Sequence, residues 1–555
     1  MLANLRPITI AAALFLASCE TAPPKGGAAS TSPQVPIQNL GTYHREVTTS
    51  SPQVQKLFDQ GLILAYAFNH TAAIRAFEEA TRLDPGCAMA WWGVALVQGP
   101  HINNPSMLPE KYPKAWDALQ KAQATAASSG SPVERGLVEA LATRYTEKPP
   151  EDRRPLDEAY AGAMRRLWQM FPADPDVGTL YAESMMDLHP WDFWTIDGTP
   201  KPGTEDILAT LEKVLALRQD HPGANHLYIH AVEASPRPER AIPSADRLRT
   251  LVPDAGHLVH MPAHIDVRTG HFAQAAMANV RAIVADEKYA PRVPGEDFYR
   301  VYMAHNHHFL AFVSMMEGRS SDALSAARTM VARVPPKFIE ANAAVIDSYL
   351  AVVLHVLVRF GRWEDVLREP PFPENLPVCT SVRHYARGVA LAALGRLDEA
   401  EEERKKLEEA VTHVSESGTM GNNPARTVLQ IPRKMLAGEI AFRRGDAEEA
   451  LRLLREAATI EDGLIYDEPP DWMQPVRHAL GAILLKAGRI DEAELAYRQD
   501  LQRFPENGWS LFGLARCLER GGAEAEARGV DARFLRSWSR ADVAIRSSCF
   551  CQPGG

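Results

Sequence analysis

The sequence is poor in cysteine. Its 555 residues include six cysteines. Those after position 19 are odd in number and lack the spacing of a disulfide scaffold, which excludes a small fold held together by disulfides. For the two cysteines of SSCFC near the C-terminus three roles are open: soft-metal ligands, a link to another part of the chain, or free thiols in a frayed tail. The six are Cys19, Cys87, Cys379, Cys517, Cys549 and Cys551.

Several other features are also missing. After the first twenty residues no apolar run is long enough to span a bilayer. The 60 basic and 70 acidic residues are interleaved and leave a net charge of −10, which argues against nucleic acid as the main partner. The motifs of serine hydrolases, phosphate-binding loops, zincins, dinucleotide-binding folds and CxxC redox sites are absent. No familiar catalytic class is therefore indicated.

The N-terminus carries the pattern of an export signal. Arg6 precedes the apolar run ITIAAALFLA (8–17), which has the length of a signal-peptide core. The run ends in LASC (16–19), which resembles the bacterial lipoprotein cleavage box, so we expect a signal peptide over 1–19 and a lipid on Cys19. Residues 20–49 begin with a stretch rich in Pro, Gly, Ser and Thr and predict a flexible tether.

These features predict a location. We expect a protein of the bacterial cell envelope that touches the membrane through its lipid anchor only. Glu20 follows the lipidated position, and this residue is compatible with sorting to the outer membrane. The folded part of the chain would then face the periplasm.

The rest of the chain repeats with a period near 34 residues. The clearest copy is PVRHALGAILLKAGRIDEAELAYRQDLQRFP (475–505), in which Gly481 allows close helix packing, Gly488 makes the turn and Pro505 ends the second helix. The pattern matches the tetratricopeptide repeat and recurs at 57–85, 386–403 and 437–457. We therefore predict an all-α fold, a tetratricopeptide-repeat superhelix of roughly ten helix pairs. We divide it into repeats at 50–220, 221–335 and 336–545, followed by a tail at 546–555.

Histidines are concentrated in the middle of this array. Nine of the 18 histidines fall within residues 226–308. His257, His260 and His264 lie 13, 10 and 6 residues before the turn glycine Gly270. At about 100° per residue these three positions share one helix face.

The neighbouring repeats carry histidines at matching positions. His226 and His230 lie 34 residues before His260 and His264, and Glu233 continues their face. His305 and His308 lie 13 and 10 residues before the turn glycine Gly318. In tetratricopeptide repeats these positions line the concave groove, so the resemblance places all seven histidines there.

Such a cluster suits a transition metal, because neutral imidazole is the commonest metal ligand. We expect His226, His230, His260 and His264 to form a first site. His257, His305 and His308 would complete it or hold a second ion. Imidazole and carboxylate without cysteine favour Zn, Cu(II), Fe or Ni. Three acidic residues are expected to bridge ions, orient the imidazoles or, in the case of Glu233, act as a general base; they are Glu183, Asp187 and Glu233.

Two interpretations need no metal. The histidines can line a groove for an acidic peptide or a carboxylate ligand, or they can form a structural polar network. The insertion HPWDFWTIDGTPKPG (189–203) is expected to cover the groove with Trp191, Phe193 and Trp194, or else to be a packed loop. His70 and His101 are expected to be surface or capping residues. The Pro-rich connector YDEPPDWMQP (466–475) is given no functional role.

Over nearly the whole mature part, the chain resembles a family of bacterial tetratricopeptide-repeat lipoproteins. The resemblance rests on HLYIHAVEAS (226–235), AGHLVHMPAHI (255–265), YDEPPDW (466–472) and PENGWSLFGLA (505–515). It implies no activity, cofactor or catalytic residue. We therefore expect a lipoprotein whose groove binds a peptide, protein or small ligand through a metal. The alternatives are a hydrolytic or oxidative metalloenzyme using the same residues, and a metal-free interaction scaffold.

Overall fold

The computed structural model describes residues 39–293 and 298–550. In these ranges nearly all regular structure is helical, and the strands are β1 (Thr419–Met420) and β2 (Asn423–Pro424), which pair antiparallel. The prediction of an all-α fold is confirmed. Among the described residues no helix is both long and apolar enough to cross a membrane. The predicted signal peptide over 1–19 and the predicted lipid on Cys19 lie outside the described residues. The same holds for the roles considered for Cys551.

The described chain divides into two compact units. Unit 1 holds residues 39–195, 200–232 and 247–258, and unit 2 holds 196–199, 233–246, 259–293 and 298–550.

Unit 1 is built from nine helices, and two further helices contribute residues to both units. The nine are α1 (Pro52–Tyr66), α2 (His70–Leu83), α3 (Ala88–Leu96), α4 (Lys111–Ser129), α5 (Pro132–Ala142), α6 (Arg154–Met170), α7 (Pro175–Met186), α8 (Thr204–Leu217) and α9 (Pro222–Val232). The two shared helices are α10 (Ile242–Leu251) and α11 (Gly256–His260).

The remaining helices belong to unit 2, together with the 3-10 turns Pro238–Ala241 and Ala290–Arg292. They are α12 (Pro262–Arg268), α13 (Phe272–Tyr289), α14 (Tyr299–Met316), α15 (Ser320–Arg333), α16 (Pro336–Ala341), α17 (Ala343–Leu350), α18 (Val352–Arg359), α19 (Trp363–Arg368), α20 (Pro377–Ala393), α21 (Leu397–Thr412), α22 (Ala425–Val428), α23 (Gln430–Arg443), α24 (Ala447–Asp462), α25 (Val476–Lys486), α26 (Ile490–Arg503), α27 (Gly508–Arg520) and α28 (Glu524–Ser537).

The helices form hairpins for the reasons that the repeat pattern indicates. Between α25 and α26 the turn residue Gly488 has a φ of 76°, a conformation that side chains disfavour. A Cβ on Gly481 would lie 2.4 Å from the ring of Tyr497, so only glycine lets α25 and α26 approach this closely. The same left-handed turn occurs at Gly270 and Gly318, from which the histidine positions were counted, and at Gly361, Gly395 and Gly445.

The segment 39–49 differs from the expected tether, because it packs into unit 1. Leu40, Tyr43 and Val47 are buried. The guanidinium of Arg45 donates to Asp174 at 2.7 Å and to Asp176 at 2.9 Å. Buried side chains alternate with exposed ones from 43 to 47, so one face of this extended segment is packed against unit 1, unlike a flexible tether.

The C-terminal segment is also packed, in contrast to the expected tail. The hydroxyl of Ser548 donates to the carbonyl of His478 at 2.7 Å and lies 2.7 Å from the hydroxyl of Tyr497. The ring of Phe550 lies 5.8 Å from that of Trp509. Cys549 is disulfide-bonded, so the interpretation as a free thiol is wrong for this residue.

Candidate functional site

The structure brings six of the seven predicted histidines into two groups of three, one in each unit. Within each group one ligand nitrogen per residue lies within 4.8 Å of the others. We call His226, His230 and His257 the first triad, and His260, His264 and His305 the second triad. The grouping differs from the expected site of His226, His230, His260 and His264. Each triad instead joins two histidines four residues apart to a third from the following repeat.

The first triad lies in unit 1 on α9 and α11. The Nδ1 of His226 donates to the carbonyl oxygen of Tyr66 at 2.7 Å, which fixes the ring. Its Nε2 lies 3.1 Å from the Nε2 of His257. The ring of His230, one helical turn after His226, lies 4.8 Å from that of His226. All three side chains are buried.

Aromatic side chains enclose the first triad. The ring of Phe68 lies 4.5 Å from that of His226, and the ring of Trp191 lies 4.9 Å from that of His230. Phe68 and Trp191 have φ values of 54° and 63°, in the left-handed region that costs non-glycine residues energy. Backbone strain of this kind is concentrated at functional sites. Both aromatic residues that contact the triad therefore have a strained backbone.

The other predicted lid residues do not contact the triad in the same way. The indole of Trp194 donates to the carbonyl of Ala231 at 2.8 Å, which ties the loop to the end of α9. Phe193 is buried and lines a cavity of about 420 Å³ with Arg166 and Ile207. Of the three predicted lid residues, Trp191 is the one whose ring contacts a triad histidine, His230.

His101 was expected at the surface, and this expectation is wrong. It is buried, and its ring stacks on that of Phe68 at 4.2 Å. Burial, together with the neighbouring His70, holds the pKa of His101 well below its usual range, so the imidazole is neutral. His101 therefore extends the aromatic enclosure of the first triad.

The second triad lies in unit 2 on α11, α12 and α14. The Nε2 atoms of His260 and His264 lie 2.8 Å apart. The ring of His305 lies 4.8 Å from that of His260 and 6.0 Å from that of His264. His260 and His264 are buried and His305 is partly exposed. Pro262 separates α11 from α12, because proline cannot donate the helical hydrogen bond at that position.

In the second triad the Nδ1 atoms of His260 and His264 each lie beside an oxygen atom of another side chain. The Nδ1 of His264 lies 2.5 Å from a carboxylate oxygen of Glu233. The Nδ1 of His260 lies 2.8 Å from Oδ1 of Asn279, whose amide nitrogen donates to the carbonyl of Ala275. Since the Asn279 amide oxygen is thereby left as an acceptor, the Nδ1 of His260 carries the hydrogen and its Nε2 carries a lone pair.

The electrostatic surroundings of His264 are negative. Burial alone lowers the pKa of this imidazole, but the carboxylates of Glu233, Glu468 and Asp467 outweigh it and the pKa is raised. Burial in turn raises the pKa of Glu468 to about 7, although His264 and the hydroxyl of Tyr466 oppose the shift. The site therefore attracts positive charge.

Glu183 and Asp187, the other predicted acidic partners, belong to neither triad. A carboxylate oxygen of Asp187 accepts from the guanidinium of Arg144 at 2.6 Å. Burial and the neighbouring Asp187 raise the pKa of Glu183. The two carboxyl groups thus lie beside an arginine, while Glu233 alone of the three contacts a triad histidine.

His308 is the predicted ligand that the structure leaves outside both triads. Its ring lies 5.3 Å from that of Tyr349. Burial, with a smaller contribution from His355, lowers the pKa of His308 to about 3. The imidazole is therefore neutral and buried at one side of unit 2.

The sequence did not indicate four residues that contact a triad histidine or act on it electrostatically. They are Tyr66, Phe68, Asn279 and Glu468. Asn279 and Tyr66 act through single hydrogen bonds, which leave no trace in composition or spacing. Glu468 lies in the connector 466–475, where three acidic residues in a Pro-rich stretch were the available signal.

Comparisons with known proteins identify the repeats. A family model described as tetratricopeptide repeat matches residues 58–98 and 478–542, so the chain contains such repeats in both units. Repeats of this kind form surfaces that bind proteins or ligands. No curated protein matches the chain.

Two solved structures are similar to the chain at low identity and low TM-score. The chain is similar to the human IFIT1 dimer with m7Gppp-AAAA, at 14% identity over 88% of this chain and 91% of that chain, with a TM-score of 0.33. It is also similar to the APC/C hetero-tetramer Cut9–Hcn1, at 12% identity over 87% of this chain and 76% of that chain, with a TM-score of 0.29. At such TM-scores neither similarity supports a statement about a ligand or partner of this chain.

Proposed function

We propose that the protein binds two transition-metal ions, one at the first triad in unit 1 and one at the second triad in unit 2. The observation that carries the proposal is the 2.8 Å separation of the Nε2 atoms of His260 and His264. Each ring directs its other nitrogen at an oxygen acceptor. The two Nε2 lone pairs then face each other, an arrangement that a cation between them stabilises.

The first triad supports the proposal independently. There the Nε2 atoms of His226 and His257 lie 3.1 Å apart, and the Nδ1 of His226 is occupied by the carbonyl of Tyr66. Metal-binding histidines in proteins commonly donate their second ring N–H to a carbonyl or carboxylate, as His226 does. The same arrangement in two different units is hard to attribute to chance.

The donor atoms fit a transition metal. Three imidazoles with one open position form a common site for zinc, and nitrogen ligands suit Zn, Cu(II), Fe and Ni. Bonds of about 2.1 Å place two ligand nitrogens of a tetrahedral ion about 3.4 Å apart. The Nε2 pairs would need to separate by less than about 1 Å. An ion held in this way supplies a Lewis-acid or redox centre.

Burial favours a metal over a peptide groove. Five of the six triad histidines have at most 2% of their surface exposed. A side chain that reads a peptide in an open groove keeps its polar edge accessible, whereas a bound ion requires its ligands to face each other. The interaction scaffold without a metal is thus the weaker alternative.

The proposed location follows from the N-terminal pattern. We place the protein in the bacterial envelope, anchored by a lipid on Cys19. The support is the run ITIAAALFLA followed by LASC. Metabolic labelling with a palmitate analogue would label the wild type, whereas the Cys19→Ala variant would stay unlabelled; labelling of both would contradict the proposal.

Metal content tests the function directly. We expect the untagged protein without residues 1–19 to contain two equivalents of transition metal by inductively coupled plasma mass spectrometry. His230→Ala and His264→Ala should each retain one equivalent, and the double variant none, because each removes one ligand of one triad. The exposed His413 provides a matched control, and His413→Ala should keep both equivalents.

The control for folding is the far-ultraviolet circular dichroism spectrum, which should be the same in all variants. The decisive negative result is the absence of metal from the wild type, even after incubation with Zn, Cu, Fe and Ni. That result would contradict the proposal.

A further inference from the structure

The connector 466–475 packs beside the second triad in unit 2. The hydroxyl of Tyr466 donates to a carboxylate oxygen of Glu468 at 2.9 Å, and the guanidinium of Arg268 lies 5.5 Å from the Tyr466 ring. Further along, the ring of Trp472 lies 4.9 Å from that of His355. The connector is therefore packed into unit 2, and its polar residues Glu468 and Gln474 are buried.

Four buried polar atoms around this connector have no hydrogen-bond partner among the described residues. Their side chains are between 1% and 6% exposed. A buried polar atom without a partner is energetically costly, so native proteins normally supply a partner or a ligand. The four atoms are Oε1 of Glu468, Nε1 of Trp472, Nδ1 of His308 and Nδ1 of His355.

These atoms belong to side chains that adjoin the second triad or one another. Glu468 is close enough to His264 for each to shift the pKa of the other. His308 follows the triad residue His305 by one turn of α14. His355 acts on the pKa of His308 and contacts the ring of Trp472. The four side chains thus form a chain of neighbours that begins at the triad.

The chemistry of the four atoms selects a ligand. The indole nitrogen of Trp472 can only donate a hydrogen bond. Burial lowers the pKa of His308 to about 3 and that of His355 to about 4, so both imidazoles are neutral and can donate through Nδ1. Glu468 offers an acceptor oxygen. A ligand that satisfies these atoms must offer oxygen acceptors to the three N–H groups and to the metal. It must also donate a hydrogen bond to the carboxylate of Glu468.

We propose that Glu468, Trp472, His308 and His355 line a pocket for a small hydroxycarboxylate that also binds the metal of the second triad. The carboxylate oxygens would accept from the indole and the two imidazoles, and the hydroxyl would donate to Glu468. This inference rests on the proposed metal at the second triad. It goes beyond that function by assigning a substrate class and a role for the connector.

The test uses glycolate as the probe and the protein loaded with Co(II). We expect glycolate to change the visible Co(II) spectrum and to bind with a dissociation constant that calorimetry can measure. Acetate, which lacks the hydroxyl, should bind roughly 10-fold more weakly, since a hydrogen bond to a charged group contributes about 1.5 kcal/mol or more. Trp472→Phe keeps the aromatic packing on His355 but removes the donor, and it should weaken glycolate binding roughly 10-fold.

Trp363→Phe is the matched control, because Trp363 is a partly buried tryptophan elsewhere in unit 2. It should leave glycolate binding unchanged. Metal analysis of the same samples separates the two proposals. If Co(II) binds at the second triad but glycolate does not bind, or binds no better than acetate or equally well to Trp472→Phe, the pocket is refuted while the metal site stands. If no Co(II) binds, the proposed function itself fails, and the pocket with it.

Discussion

Replacing Asp176 by asparagine is expected to lower the free energy of unfolding by about 3 kcal/mol, as measured by urea denaturation. One carboxylate oxygen of this buried residue accepts from the hydroxyls of Tyr43 at 2.8 Å and Tyr66 at 2.7 Å. The other accepts from Arg45 at 2.9 Å. Removing one partner of a buried ion pair costs about 3–5 kcal/mol, and the lower end applies because Arg45 keeps its bond to Asp174.

The pH dependence of this loss has a definite sign. Burial raises the pKa of Asp176, but Arg45, His221 and Tyr66 outweigh it and hold the pKa well below its usual range. The stabilisation is complete above the unfolded-state pKa of about 4 and is lost as the pH falls towards the folded-state pKa. The difference between wild type and Asp176→Asn should therefore be largest at neutral pH and should shrink in acid.

Asp220 provides the matched control for this experiment. Its side chain is 59% exposed and lies 3.3 Å from Arg218, and exposed ion pairs contribute about 0–1 kcal/mol. Asp220→Asn should therefore change the unfolding free energy little. An equal effect of the two substitutions would refute the role of the Asp176 network in holding the segment 39–49 and Tyr66, whose carbonyl supports the first triad.

Replacing Glu233 by glutamine is expected to weaken metal binding at the second triad by about 10–100-fold. The carboxylate lies 2.5 Å from the Nδ1 of His264 and both orients the imidazole and makes its Nε2 more basic. Glutamine keeps the size of the side chain but removes the charge. Competition with a chromophoric chelator should show one weakened site and one unchanged site.

Two controls accompany this measurement. Glu374 is an exposed glutamate of unit 2, and Glu374→Gln should leave both affinities as they are. The double variant His230→Ala/Glu233→Gln isolates the second triad and should show the weakened affinity alone. Unchanged affinity in Glu233→Gln would mean that His264 is not a ligand whose second nitrogen is held by a carboxylate.

The repeats and the direction of the histidines were predictable, because both depend on local geometry. The turn glycines Gly270 and Gly318 have the left-handed backbone that the repeat pattern requires. Counting back from them placed His257 and His305 at equivalent positions. These two residues are the third members of the two triads. The spacing therefore indicated which histidines occupy equivalent positions in their repeats. It did not indicate which neighbouring helix supplies the third histidine of each triad, because that depends on packing.

The partners of the histidines were not predictable, since they come from distant parts of the chain. Tyr66 lies 160 residues before His226, which it holds through its carbonyl. The same applies to Glu468, which acts on His264 from a connector with no helical periodicity. A main-chain carbonyl is available at every residue, so no residue type marks it out. Packing of the segment 39–49 was likewise concealed by the Pro-rich stretch before it.

The most direct test of the two metal sites is anomalous X-ray scattering from crystals of the protein loaded with zinc, recorded on both sides of the zinc absorption edge. We predict one peak about 2.1 Å from the Nε2 atoms of His260 and His264, and a second at the same distance from those of His226 and His257. Peaks at other residues, or no peak at either triad in a zinc-loaded crystal, would contradict the two-metal proposal.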